Sequence, residues 1–156
     1  MELCIFVGIQ ASGKSTFFRT HFAATHVHVS KDTLRASKTL NKTAKQLLLI
    51  EEAFQEGKSV VVDNTNPTKE DREPLIALGH RYGAKVTGYV FQSTVQDARQ
   101  RNSTREGKAR VPDAALYITA HKLVMPTYEE GFDALWSVKI VGDGRFERSE
   151  IPHVAV

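Results

Sequence analysis

Five short apolar runs are spaced along this chain, and capped or amphipathic segments fill the gaps between them. Leu3-Cys4-Ile5-Phe6-Val7 is continuous and apolar, the pattern of a strand buried on both faces. His26–Val29 predicts a short second strand. Ser59-Val60-Val61-Val62-Asp63 predicts a third, and its valines suit a central position. Lys85–Phe91 and Trp136–Val141 predict a fourth and a fifth. From Thr16 to Phe22 the pattern can continue as a helix. Over Thr43 to Gln55 a helix is predicted by the broad apolar stripe of Ala44, Leu47, Leu48, Ile50 and Phe54, with Gly57 ending it. Another helix occupies part of Thr68 to Tyr82. Thr68 with Asp71 resembles a capping box, but Pro74 leaves two readings, a kinked helix or one that begins near the proline. Thr94 caps a helix with Val95 and Ala98 inward. Pro112, at a first helical position, opens one to about Val124. Gly142-Asp143-Gly144 is a turn signal, which allows a hairpin strand from Arg145.

Alternating β and α elements imply a parallel sheet with helices on both faces. Right-handed crossovers leave the strand C-termini along one edge, where ligands bind. The expectation is an α/β protein of one domain, residues 1–156, on a five-stranded parallel sheet flanked by helices.

Composition narrows this reading. The 156 residues, 41% hydrophobic and 25% charged, are ordinary for a globular domain. No apolar run approaches ~20 residues, so no membrane span is expected. The N-terminus enters the first strand directly, so no secretory signal is expected. Cys4 is the single cysteine. It offers no disulfide partner and fits a reducing cytoplasm. The net charge of +3 is mildly basic, and Arg99, Arg101, Arg105, Lys108 and Arg110 crowd one short segment. That crowding fits either a solvated helix face or an anionic partner.

The chemistry begins after the first strand. Gly8-Ile9-Gln10-Ala11-Ser12-Gly13-Lys14-Ser15 fits G-x-x-x-x-G-K-[ST], the P-loop. Gly8 and Gly13 are expected to permit backbone dihedrals that a side chain forbids. Backbone N–H groups over Gly8, Gln10, Ala11, Ser12, Gly13, Lys14, Ser15 and Thr16 then hold the phosphates of ATP. Lys14 reaches the β/γ-phosphates and Ser15 offers a hydroxyl to Mg²⁺.

Two more polar clusters follow strand ends, Ser30-Lys31-Asp32 and Asp63-Asn64-Thr65-Asn66, and should converge on the loop. A GTPase needs a guanine motif such as N-K-x-D, and Asn41-Lys42-Thr43-Ala44 lacks the aspartate. A motor ATPase usually carries Asp-Glu after its apolar run, whereas here the run ends Val62-Asp63-Asn64. Phosphoryl transfer to a bound acceptor fits better. Asp32 is then the candidate general base. It also fits a helix N-cap before Leu34, and the two roles are compatible. Arg35, one turn on, can grip an acceptor phosphate. Asp63, or Asp32, can hold Mg²⁺ through water beside Ser15. Asp63 also fits a turn former before Pro67. The segment from about 101 to 112 has the composition of a mobile lid. Arg105, then Arg101, are the choices for the transferring phosphate. His26 and His28 share a face of the second strand, but no further ligands are spaced to complete a zinc site.

Taken together these blocks resemble the polynucleotide 5′-hydroxyl kinase family, over nearly the whole chain from Leu3 to Val141. S-K-D-T-L-R at Ser30–Arg35 resembles the family segment with the general-base aspartate and a substrate-binding arginine. V-V-V-D-N-T-N-P at Val60–Pro67 is similar to the strand-three block of the animal members. R-N-S-T-R at Arg101–Arg105 resembles the phage lid, and P-T-Y-E-E-G-F at Pro126–Phe132 resembles a segment near the end of the animal kinase domain. The resemblance implies a P-loop NTPase kinase fold with an arginine-bearing lid. It implies ATP and Mg²⁺ as cofactors and a nucleic-acid 5′-hydroxyl as acceptor. Asp32 would be the base, and Lys14, Arg105 and Arg101 would offset developing charge. Arg35, Asp63 and Asn66 would sit on the substrate side. The family's D-x-D-G-T phosphatase motif is absent. The rival readings are a small-molecule or nucleotide kinase and an ATP-binding switch or nucleic-acid-binding protein without transfer.

Overall fold

Each predicted apolar run forms a strand in the computed structural model, which describes residues 1–34, 41–142 and 144–153. The elements in chain order are β1 (Glu2–Val7), α1 (Lys14–His21), β2 (His26–Val29), α2 (Lys42–Gln55), β3 (Ser59–Val62), α3 (Lys69–Arg81), β4 (Lys85–Gln92), α4 (Val95–Ser103), α5 (Asp113–Lys122), β5 (Ala134–Val141) and β6 (Arg145–Glu150). The sheet order is β2-β3-β1-β4-β5-β6. β1 is flanked by β3 and β4, with Ile5 opposite Val62 and Val7 opposite Val90, all in parallel register.

The described sheet has six strands, not the expected five, and is not wholly parallel. β6 runs antiparallel to β5, from Val141↔Arg145 to Trp136↔Glu150. The reversal follows from Gly142 (φ 41°) and Gly144 (φ 77°), which adopt left-handed backbone at the hairpin tip. α3 takes the earlier of its two expected starts, whereas the starts of α2 and α5 differ from expectation. α3 begins at Lys69 behind a Thr68/Asp71 capping box and runs on through Pro74. That proline forgoes the hydrogen bond that the Glu70 carbonyl would accept. Pro112 is the N-cap of α5 rather than its first helical residue. Asn41 caps α2 by accepting from the Ala44 N–H, so this helix opens at Lys42.

The sheet divides the core in two. One face carries Leu3, Ile5, Val7, Val60 and Val62 against Ile50, Phe54 and Leu75 of α2 and α3. The other carries Cys4, Phe6, Val61, Tyr89 and Phe91 against Phe17 and Phe18 of α1 and against Phe22. On this second face the Phe6 ring lies 5.0–5.9 Å from those of Phe17, Phe22, Tyr89 and Phe91. Such ring pairs add ~0.5–1.5 kcal/mol each beyond area burial. This packing fixes the end of β1, and therefore the loop that leaves it. Among the described residues no helix is long and apolar enough to cross a membrane.

Candidate active site

The strand order reverses direction around β1, so a crevice opens at its C-terminal end. The Gly8–Ser15 loop leaves β1 there and enters α1. Gly13, the N-cap of α1, has φ 99°, the left-handed backbone that favours glycine. Gly8 is required for a different reason than expected. Its backbone is not left-handed, but a Cβ there would lie 2.9 Å from Phe91 Cβ. Gly8 thus lets the loop lie against β4, and its N–H donates to the Thr65 carbonyl at 3.0 Å. The second unusual dihedral belongs to Ala11, at φ 59°.

Lys14 folds back into the loop. Its Nζ donates to the carbonyls of Gly8 (3.0 Å) and Ile9 (2.6 Å) and approaches Ser12 Oγ at 3.4 Å. Burial pushes its ammonium down to about 8. Asp63 and Asp32 work against that fall, and the Arg105 charge adds to it. Asp63, Asp32 and Arg105, three of the predicted charged residues, therefore lie within electrostatic reach of the P-loop lysine.

Ser15 Oγ donates to Asp63 Oδ2 at 2.8 Å. His28 Nε2 meets the same oxygen, also at 2.8 Å. Burial alone would raise the Asp63 pKa, but the His28 and Ser15 hydrogen bonds and the Lys14 charge hold it below the usual carboxylate range. A hydroxyl and an ionised carboxylate are hard oxygen donors, the set Mg²⁺ prefers. Adjacent ligands of an octahedral Mg²⁺ lie about 2.9 Å apart, close to the Ser15–Asp63 separation.

Asp32 lies on a single 3₁₀ turn, Lys31–Thr33, just past β2. Ser30 caps this turn by accepting the Asp32 N–H at 3.2 Å, and Asp32 itself is exposed. The turn is tied to the loop after β3, where Asn64 Oδ1 accepts from the Lys31 N–H at 2.8 Å and Asn64 Nδ2 donates to Gln46 of α2. Arg35 lies outside the described residues.

Arg101, at the end of α4, donates through Nη1 to the Ala11 carbonyl (2.8 Å) and Ser93 Oγ (3.1 Å). Its guanidinium thus rests on the phosphate loop. Arg105 lies farther along, bonded to the Ala109 carbonyl at 3.3 Å. Gln10 donates to Thr119 of α5 at 3.0 Å, which links the loop to the helix beyond the basic segment. Thr16 is exposed at the start of α1.

Asn66 takes a different place. Its Nδ2 donates to the Phe6 carbonyl (2.8 Å), and its own carbonyl accepts from Arg72 Nη1 (3.0 Å). Arg72 is fully buried and forks onto Glu130, with Nε to Oε1 at 2.8 Å and Nη2 to Oε2 at 3.2 Å. Sequence reasoning placed Asn64 in the converging cluster but missed Gln46, Asn102 and the pairing of His28 with Asp63. His28 carried a signal, being two residues before Ser30 on the strand that leads to Asp32. Asn102 is fully buried, donates to the Val111 carbonyl and accepts from the Val111 N–H.

Comparison with known proteins follows the same lines. The AAA domain family matches residues 3–117. The bifunctional polynucleotide phosphatase/kinase of Schizosaccharomyces pombe is 33% identical over 84% of this chain and 32% of its own length. The chain spans about a third of the length of the curated relatives it matches. Kti12 of Chaetomium thermophilum, solved with ADP-AlF3, superposes with a TM-score of 0.65 at 17% identity over 88% of each chain. A fungal RNA kinase superposes with a TM-score of 0.65 at 13% identity, over 91% of this chain and 39% of that one. These superpositions establish the fold, a P-loop kinase fold. The chain belongs to the AAA domain family and resembles the P-loop polynucleotide kinases in sequence.

Proposed function

We propose that this protein is an ATP-dependent kinase that transfers the γ-phosphate to the 5′-hydroxyl end of a nucleic acid. The observation that carries the reading is the convergence of Lys14, the Ser15–Asp63 pair, Asp32 and Arg101 on one sheet edge. The P-loop amides hold the phosphates of ATP, and Lys14 exchanges its loop carbonyls for β/γ-oxygens. Ser15, with Asp63 or Asp32 through water, holds Mg²⁺, which supplies positive charge to the phosphate oxygens. Asp32 accepts the proton of the attacking hydroxyl. Arg101 and Arg105 neutralise charge on the transferring group. Arg35 is assigned to the acceptor phosphate, and Asn66 supports the substrate side by holding the loop after β3. The exposed basic residues of α4 and the lid, with the similarity to a polynucleotide phosphatase/kinase, favour a polyanionic acceptor.

The test is transfer of labelled γ-phosphate from ATP to 5′-hydroxyl RNA and DNA oligonucleotides, with Asp32→Ala as control. Label on the oligonucleotide that falls by about 10²–10⁴-fold in the variant supports the assignment. Absence of transfer with ATP binding intact moves the acceptor to a small molecule. Transfer that survives Asp32→Ala removes Asp32 as base.

A further inference from the structure

At the end of the sheet opposite the P-loop, three side chains of different ligand type meet. Glu2 and Cys4 stand two apart on β1, so they share a face. His26 opens β2, which is separated from β1 by β3. Cys4 Sγ donates to Glu2 Oε1 at 3.0 Å, and His26 Nε2 lies 2.9 Å from the same oxygen. The three ligand atoms all lie within 4.8 Å of one another.

The imidazole is oriented from behind. Its Nδ1 lies 2.7 Å from Thr25 Oγ1, and the Phe22 ring packs against it at 5.0 Å between centroids. Fixing Nδ1 on an outer partner aims Nε2 at a metal, the usual arrangement around a metal-bound histidine. Cys4 sits in the aromatic half of the core with Phe6, Phe22 and Tyr89, where burial and the Glu2 carboxylate hold it as the thiol until a cation binds. Access remains through Glu2, whose side chain is 30% exposed against 12% for His26.

We propose that Glu2, Cys4 and His26 form a binding site for a thiophilic divalent cation of the zinc class, with a fourth position open to water. Tetrahedral Zn²⁺ at its ordinary bond lengths separates its ligand atoms by roughly 3.3–3.5 Å. The contacts of Cys4 and His26 with Glu2 Oε1 therefore lengthen by a few tenths of an ångström to admit the ion. As the sulfur–metal bond forms, the thiol proton leaves to solvent, and nothing is oxidised or reduced. Thiolate and imidazole reject Mg²⁺, so the site does not compete for the cation at Ser15 and Asp63. The ion ties the start of β1 to the start of β2 across β3. The site stands apart from the reaction proposed above and survives the failure of that reading.

The test is titration of Co²⁺ into the whole chain in excess Mg²⁺, which fills oxygen sites. The expected result is a thiolate-to-cobalt charge-transfer band that saturates at one equivalent and is bleached by Zn²⁺. Cys4→Ser abolishes the band. His26→Gln weakens cobalt binding by about tenfold or more. Cys4 is fully buried, so that variant is checked for fold by circular dichroism. Glu2→Gln, at a partly exposed position, is the second variant and must also weaken binding. Zn²⁺ raises the thermal midpoint of the natural chain and leaves that of His26→Gln unmoved. No band in the natural chain overturns the proposal, and so does a band that titrates identically in His26→Gln and Glu2→Gln.

Discussion

Asp63 and Asn66 stand in the loop after β3, and each is 5% exposed. Asp63 turns to the phosphate loop, where its partners are the exposed Ser15 and the half-exposed His28. Asn66 turns to the Phe6 carbonyl, and the backbone at Asn66 is gripped by the buried Arg72. Both are buried polar groups with good hydrogen bonds. They differ in whether a partner can be exchanged. On the function proposed above, Ser15 would release Asp63 to an incoming cation. Asn66 and Arg72 are enclosed by β1, α3 and Glu130, so their bonds hold shape only.

Four measurements break or sharpen that contrast. The largest effect is expected for Arg72→Ala, which strands the Glu130 carboxylate. Stability in urea should fall by about 3–5 kcal/mol, with transfer following the folded fraction. An unchanged unfolding midpoint breaks the contrast from the structural side. Asp63→Asn should invert the pattern. Transfer is expected to fall about 10²–10³-fold, while stability moves by no more than ~1–2 kcal/mol. Asn66→Ala should cost ~1–3 kcal/mol and leave KM for ATP unchanged. Because Asn66 holds φ 41°, Asn66→Gly should cost less than Asn66→Ala. A raised KM in either would give Asn66 a direct ligand contact.

The smallest effect is a pH dependence. Burial brings Lys14 down to about 8, so the ammonium proposed to bind phosphate is lost above that pH. Affinity for ATP, followed by calorimetry, should fall by up to about tenfold per pH unit beyond it. Asp63 holds the Lys14 value up, so Asp63→Asn should move the midpoint to lower pH, and Asn66→Ala should not. The sign for stability is opposite. Folded Lys14 sits below its ordinary 10.5, so its charge costs stability below about 8. That cost fades as pH rises towards 10.5.

Much of the site's placement is local and therefore legible. The apolar run of β1, the glycine loop and the first turns of α1 are contiguous, and their joint pattern has one structural solution. Asp32 was legible because a short strand and a capping serine precede it. Other features depend on partners far along the chain. Arg72 looks like an ordinary exposed helix residue until Glu130, 58 positions on, comes beneath it. The second face of His26 shows the same limit. No spacing rule pairs it with Glu2 and Cys4, because only the β2-β3-β1 order brings those strand starts together. β6 was faint because Arg-Phe-Glu-Arg-Ser-Glu is nearly all polar, as suits an edge strand. On its inward face Phe146 packs its ring on Phe17 at 5.1 Å, and Arg148 lies over the Trp136 ring at 5.8 Å.

The double hydrogen bond between Asn102 and Val111 has an evolutionary consequence. It closes positions 103–110 into a ring whose two ends are pinned by one side chain. What happens inside such a ring is nearly invisible to the helices that carry it. Doubling its length costs only about 0.6 kcal/mol of closure entropy. The segment thus tolerates changes of length while α4, α5 and the phosphate loop stay as they are, provided that Arg105 keeps its place near Lys14.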